Sequence, residues 1–172
     1  MPKHQLIIMR HGKSDWSEQG KPDFERPLTM RGRKAAEKMA KWLKRQYRAD
    51  RILCSPALRA KQTCQFVVKH LKLSEQNIIW EPSLYEASVE HLTAAINTYS
   101  KDIHSLLLIG HNPGLDQLLC YLSQNPPPVS DSGKILTTAA VAVLDYGAHA
   151  ITTKPHCAAL ECLVRPKELD LL

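Results

Sequence analysis

Short apolar runs alternate with longer stretches of helical spacing along most of this chain. The first run, Leu6-Ile7-Ile8-Met9, ends abruptly in Arg10-His11-Gly12. It is brief, partly branched at the β carbon and closed by glycine, which predicts a strand buried on both faces. Comparable runs predict strands over 51–54, 78–80, 105–110, 139–145 and 158–164. Between them lie helix patterns with recognisable starts. Thr29 is a good N-cap for a helix over 30–47, with Ala35, Ala36, Met39, Ala40, Trp42 and Leu43 on one face. Lys34, Lys38, Lys41, Lys44 and Arg45 fill the other face, which reads as a solvated surface rather than a nucleic-acid stripe. Ser55 as cap and Pro56 as first residue predict a helix running to Leu71. Ser88 caps 89–99, and Asn112 with Pro113 starts a helix through Leu122. The alternation calls for an α/β layered sheet with mainly parallel strands. The last two strands, joined around Tyr146-Gly147, leave room for an antiparallel edge. The segment 124–133 is rich in Pro, Ser and Gly and reads as an irregular insertion. The tail 165–172 reads as a short helix or a frayed end.

Bulk properties narrow the class. A chain of 172 residues with 44% hydrophobic and 23% charged residues fits one globular domain spanning 1–172. Its net charge of +6 suits a phosphorylated or acidic substrate. An aromatic content of 6% offers few platforms for single-stranded nucleic acid. Five cysteines without a CxxC pair read as reduced thiols. The opening apolar run is too short for a secretory leader, and no run approaches membrane-spanning length. The expectation is a cytoplasmic protein without membrane or nucleic-acid partners.

The chemistry gathers where strands end. Arg10 with His11, then Arg59 in the first turn after the second strand, then His111 after the fourth, all fall at one edge of a parallel sheet, where open α/β sheets bind ligands. Two arginines and two histidines there suit a phosphoryl group and its spread charge. A neutral imidazole is a competent nucleophile toward phosphorus, and neighbouring guanidiniums disfavour its protonated form. The expected reaction is transfer of phosphate to His11 followed by hydrolysis, the arginines stabilising the charge without a metal or cofactor. Lys13 and Ser14 either line the pocket or are plain loop residues, and Trp16 is either a substrate-facing ring or a hydrophobic lid on the core. Two carboxylates, Glu81 and Glu86, sit in the loop after the third strand. His4, His70, His91, His104, His149 and His156 lack any partner pattern and read as structural.

These segments resemble the motifs of the histidine phosphatase superfamily, with its phosphoglycerate mutase-like fold. Arg10-His11-Gly12 is similar to its first motif, 55–63 (SPALRAKQT) to its second, and Gly110-His111-Asn112-Pro113-Gly114 to its third. They occur in family order over the first 115 residues or so. The resemblance implies a three-layer α/β/α sandwich. It implies His11 as the phosphorylated nucleophile, with Arg10, Arg59 and His111 holding the phosphoryl group and Asn112 and Ser17 as further phosphate contacts. Leu84-Tyr85-Glu86 fits the context of the family's acidic residue, so Glu86 rather than Glu81 is the implied general acid. The short length and 84–88 look most like the SixA branch of phosphohistidine phosphatases. Ser17 stands where mutase relatives carry a substrate-binding asparagine, which argues against sugar-phosphate chemistry. The implied substrate is phosphohistidine in a protein. The alternatives are a small phosphomonoester, or binding of phosphoprotein or RNA without catalysis.

Overall fold

The computed structural model describes residues 3–170. A six-stranded sheet has the order β3-β2-β4-β1-β5-β6. Its strands are β1 (His4–Arg10), β2 (Arg51–Cys54), β3 (Ile78–Trp80), β4 (Ser105–Gly110), β5 (Val141–Gly147) and β6 (Ala159–Val164). Helices α1 (Met30–Gln46), α2 (Leu58–Leu71), α3 (Val89–Tyr99), α4 (Gly114–Leu122) and the short α5 (Pro166–Leu169) connect or follow them. The strands β1 to β4 pair in parallel, whereas β5 runs antiparallel to both β1 and β6. The sheet is thus mainly parallel with an antiparallel side, inside an α/β/α sandwich.

Alternation along β1 shows why it lies at the centre. Leu6 and Ile8 face one core, shared with Leu92 and Ile96 of α3 and Leu115, Leu118, Leu119 and Leu122 of α4. Ile7 and Met9 face the other, shared with Met39, Ala40 and Leu43 of α1 and Cys64 and Val67 of α2. The apolar run 6–9 at the middle of β1 therefore has a partner for every side chain. The basic side of α1 stays outward, and Thr29 caps that helix by accepting from Gly32 N. None of the five cysteines is bridged. Among the described residues no helix is long and apolar enough to cross a membrane.

Several element ends differ from expectation by a residue or two, and three of the starts do so for a clear local reason. Helix α2 starts at Leu58, because the Ser55 hydroxyl accepts only from Ala57 N (3.3 Å) and turns to His111 instead of capping. Helix α4 starts at Gly114, with Asn112 Oδ1 accepting from Asp116 N (3.1 Å) from just outside it. Strand β5 begins at Val141, because Ala139 takes a left-handed backbone (φ 65°) and donates its N–H to His11 O. The tail forms α5 through Leu169, and residues 171–172 lie outside the described residues.

Candidate active site

The register of the parallel strands assembles the site. Arg10 pairs with Gly110, so His11 and His111 leave neighbouring strands at one level, and His11 N donates to Gly110 O (3.1 Å). Their rings lie 5.0 Å apart at 55°. On the far side of β4, Cys54 pairs with Ile109, which delivers Ser55 and then the first turn of α2 to the same edge. Arg59 is the second residue of that helix and is buried. Its Nε donates toward His11 Nε2 at 3.4 Å. Arg10 anchors one Nη on Leu136 O at 3.0 Å. The four residues expected to meet are brought together.

Hydrogen bonds assign the imidazole protons. His11 Nδ1 lies 2.6 Å from Gly12 O, a carbonyl that can only accept, so Nδ1 carries the hydrogen. The lone pair is then on Nε2, facing Arg59. His111 Nε2 lies 2.7 Å from Ser55 Oγ, which already accepts from Ala57 N. Ser55 is fully buried and its hydroxyl hydrogen has no other acceptor among the described residues, so the hydroxyl donates to His111 and leaves a hydrogen on His111 Nδ1. That nitrogen and Arg10 Nε are buried without a partner among the described residues. Two orphaned donors beside a buried guanidinium favour an anion.

The same surroundings keep both imidazoles neutral. Burial is the main cause, with His111, Arg59 and Arg10 adding repulsion; together they bring the pKa of His11 down to about 3 against the pull of the Gly12 carbonyl. His111 falls to about 4, again chiefly through burial, with Arg59 and Arg10 adding to it and Asp23 opposing. The arginines act in the expected direction, but desolvation outweighs them. Backbone support is tight. Gly12 N donates to Thr63 Oγ (3.0 Å), and the Thr63 hydroxyl donates to Arg59 O (2.8 Å), tying both motifs together. A side chain on Gly12 would meet Gly32 O at 2.7 Å, which is why only glycine fits there.

Two contributors are invisible to the sequence patterns. Asp23 accepts from Arg59 Nη1 through its carbonyl (2.8 Å) and from Nη2 through its carboxylate (3.0 Å). Tyr85 donates its hydroxyl to the same carboxylate oxygen at 2.6 Å and sets its ring edge-on to His111 at 5.6 Å. Partial burial pushes the Asp23 pKa up, but the bonds from Tyr85 and Arg59 outweigh it and hold the carboxyl below its ordinary range. Neither residue has a spacing that advertises a role; only Tyr85, inside 84–86, lies in a segment already singled out.

The remaining candidates sit differently. Glu86 is exposed on a left-handed backbone (φ 54°), next to Tyr85 in sequence. Glu81 uses one oxygen on Ser83 N (3.0 Å) and the other on the Tyr99 hydroxyl (3.4 Å), so it belongs to its loop. Asn112 lies beside Arg10, sharing Leu136 O, but both ends of its amide are used, on Leu136 O and Asp116 N. Ser17 is exposed, with its N–H on Asp15 Oδ1. Trp16 is 62% exposed and lies under the Arg26 guanidinium at 3.9 Å, so it is not a cover for the core.

A neutral imidazole with an aimed lone pair, among guanidiniums at the carboxyl edge of a phosphoglycerate mutase-like sheet, defines a class that handles phosphate through histidine. The chain belongs to the histidine phosphatase superfamily: the model of its branch 1 matches residues 6–96. Phosphohistidine phosphatase SixA of Escherichia coli (strain K12) is 32% identical over 140 residues, 80% of this chain and 83% of that protein. An uncharacterised protein of Mycobacterium tuberculosis is 32% identical over 157 residues, covering 88% and 96% of the two chains. The structure of the protein histidine phosphatase SixA complexed with tungstate superposes with a TM-score of 0.77 at 28% identity, over 96% of this chain and 99% of that one. A phosphoglycerate mutase of Bacillus anthracis shares the fold, with a TM-score of 0.70 at 14% identity over 98% and 96% of the chains. These relatives support the SixA-type branch suggested by the motifs.

Proposed function

We propose that this protein hydrolyses phosphohistidine in proteins, through a phosphorylated His11. The observation that carries the reading is the His11 ring: its Nδ1 hydrogen is tied to Gly12 O, and its Nε2 lone pair faces the buried Arg59. In the first step Nε2 forms a bond to phosphorus while the phosphorus–nitrogen bond of the substrate breaks. The departing imidazole takes up a proton from solvent and leaves neutral. Arg10, Arg59 and the His111 Nδ1 hydrogen stabilise the equatorial oxygens as charge moves through the transition state. In the second step water attacks the phosphorylated His11, its protons pass to solvent and to phosphate, and the ring returns to its starting state. The tungstate held by the SixA relative supports an oxyanion site of this kind. An exposed Glu86 suits a substrate whose leaving group needs little help from an acid.

Mass spectrometry of protein mixed with a labile phosphodonor and quenched without acid is expected to find phosphate on His11, and none in His11→Ala. Phosphate on another residue would overturn the mechanism. Glu86→Gln is expected to keep phosphohistidine turnover while reducing that of alkyl phosphates. Loss of both together would instead favour a small-molecule phosphomonoesterase.

A further inference from the structure

A cavity of about 640 Å³ opens beside the catalytic edge and takes no part in the reaction above. Its walls are the start of α1, the 129–138 loop and the start of α5, and Lys13, Arg31 and Lys167 line it from three separate elements. Lys13 is two residues from His11, at most about 7 Å of extended chain. Thr137 and Thr138 on the opposite wall lead directly into Ala139, whose N–H holds His11 O at 2.9 Å. The cavity and the nucleophile thus share their backbone supports.

The walls are fixed, and the charge lining them is not balanced. Arg165 donates to Ile135 O (3.0 Å) and Pro128 O (2.8 Å), and pairs with Glu168 at 3.0 Å, pinning the loop to the start of α5. Asp116 holds the other side of the loop by accepting from Ile135 N (3.0 Å) and Leu136 N (2.9 Å). With Arg165 and Glu168 satisfied by each other, Lys13, Arg31 and Lys167 face only Asp131. Among the described residues those three cations have no ion-pair partner within 4.0 Å. Val129, 63% exposed, and Ala35 add an apolar strip.

We propose that this cavity seats acidic side chains of the protein substrate, flanking its phosphorylated histidine, and so sets substrate preference. The inference rests on the phosphohistidine reading. A flexible acidic segment suits the arrangement better than a second phosphate. The free cations come from three separate elements, and the Arg165 guanidinium uses its donors on carbonyls and Glu168. Carboxylates on successive residues would each meet a separate charge, with aliphatic stems against Val129 and Ala35.

The test compares two phosphohistidine peptides, one with aspartate and glutamate around the target and one with glutamine there, in the full-length protein. The wild type is expected to turn over the acidic peptide with about tenfold higher kcat/KM, expressed in KM and reduced by salt. Arg31→Gln with Lys167→Gln should lose most of that preference while turning over the neutral peptide unchanged. Arg31→Glu with Lys167→Glu should favour a lysine-flanked peptide, which also shows that the fold survives. Equal turnover of both peptides by the wild type, or a preference kept in the double variant, overturns the cavity's role and leaves the phosphohistidine reading standing. Tighter inhibition by a small bisphosphate, lost in the double variant and without peptide preference, overturns it in favour of a small ligand. Failure to turn over any phosphohistidine peptide, with p-nitrophenyl phosphate still hydrolysed, overturns both readings.

Discussion

Replacing Gly32 with alanine sets two effects of opposite sign against each other. Gly32 is the third residue of α1, and alanine in a helix is worth up to about 1 kcal/mol over glycine. The new Cβ, however, would stand 2.4 Å from Lys13 O and 2.9 Å from Lys13 N. Carbon-to-oxygen contacts run at about 3.3–3.6 Å, so the Lys13 peptide would have to retreat by roughly 1 Å. That peptide is not free to move: Lys13 O accepts from Thr29 N (2.9 Å), at the cap of the same helix. Crowding of this kind typically costs about 1–3 kcal/mol, which exceeds the propensity gain. The net expectation is a loss of about 1–2 kcal/mol, or a Tm lower by about 3–6 °C for a chain of this length. Activity should fall further than stability, because Lys13 is joined through Gly12 to His11 and a displacement of about 1 Å at a reacting group can cost about a hundredfold. Differential scanning calorimetry and steady-state turnover of a phosphodonor measure the two effects. A Gly32→Ala protein with an equal or higher Tm and full activity would show that the contact does not constrain the nucleophile loop.

Two further outcomes follow from the electrostatics. Because His11 and His111 hold pKa values of about 3 and about 4 against about 6.5 in the unfolded chain, unfolding takes up protons below pH ~6.5. Stability is therefore full above pH ~6.5 and declines toward pH ~4, by about 2 kcal/mol per histidine between pH 7 and 5. Urea melts at the two pH values should show the drop and His11→Ala/His111→Ala should remove most of it; an identical drop in that variant refutes the assignment. Asp23→Asn removes a carboxylate that competes with phosphate for Arg59, so inhibition by inorganic phosphate should tighten about fivefold, and an unchanged or weaker inhibition constant would show that Asp23 only positions the guanidinium.

The parts of the site legible in the sequence share a property: each follows the end of a strand or the start of a helix. Arg10, His11 and His111 are placed by strand register alone, and Arg59 by its position in the first turn of α2. Asp23 is different. It reaches Arg59 from a loop 36 residues earlier, through a path set by packing rather than by period. Glu86 shows the converse, since its motif context is right but the left-handed turn at that residue belongs to a loop whose conformation no spacing encodes. Ser55 carries the local signals of a cap but does not cap α2, because a tertiary partner competes and His111 takes its hydroxyl. The 135–140 segment was opaque for the same reason as Asp23: its backbone groups, not its side chains, do the holding.

That segment has a consequence for how the molecule matures. All three motifs are complete by Gly114, yet Arg10 rests on Leu136 O and Ala140 O, and His11 O on Ala139 N. Because β5 runs back against β1, its upstream loop arrives at the catalytic edge from the last third of the polypeptide. A nascent chain carrying every reactive group would thus lack the frame that aims them. Competence is postponed until the chain beyond residue 140 has emerged from the ribosome, and a fragment ending near residue 130 would be inert.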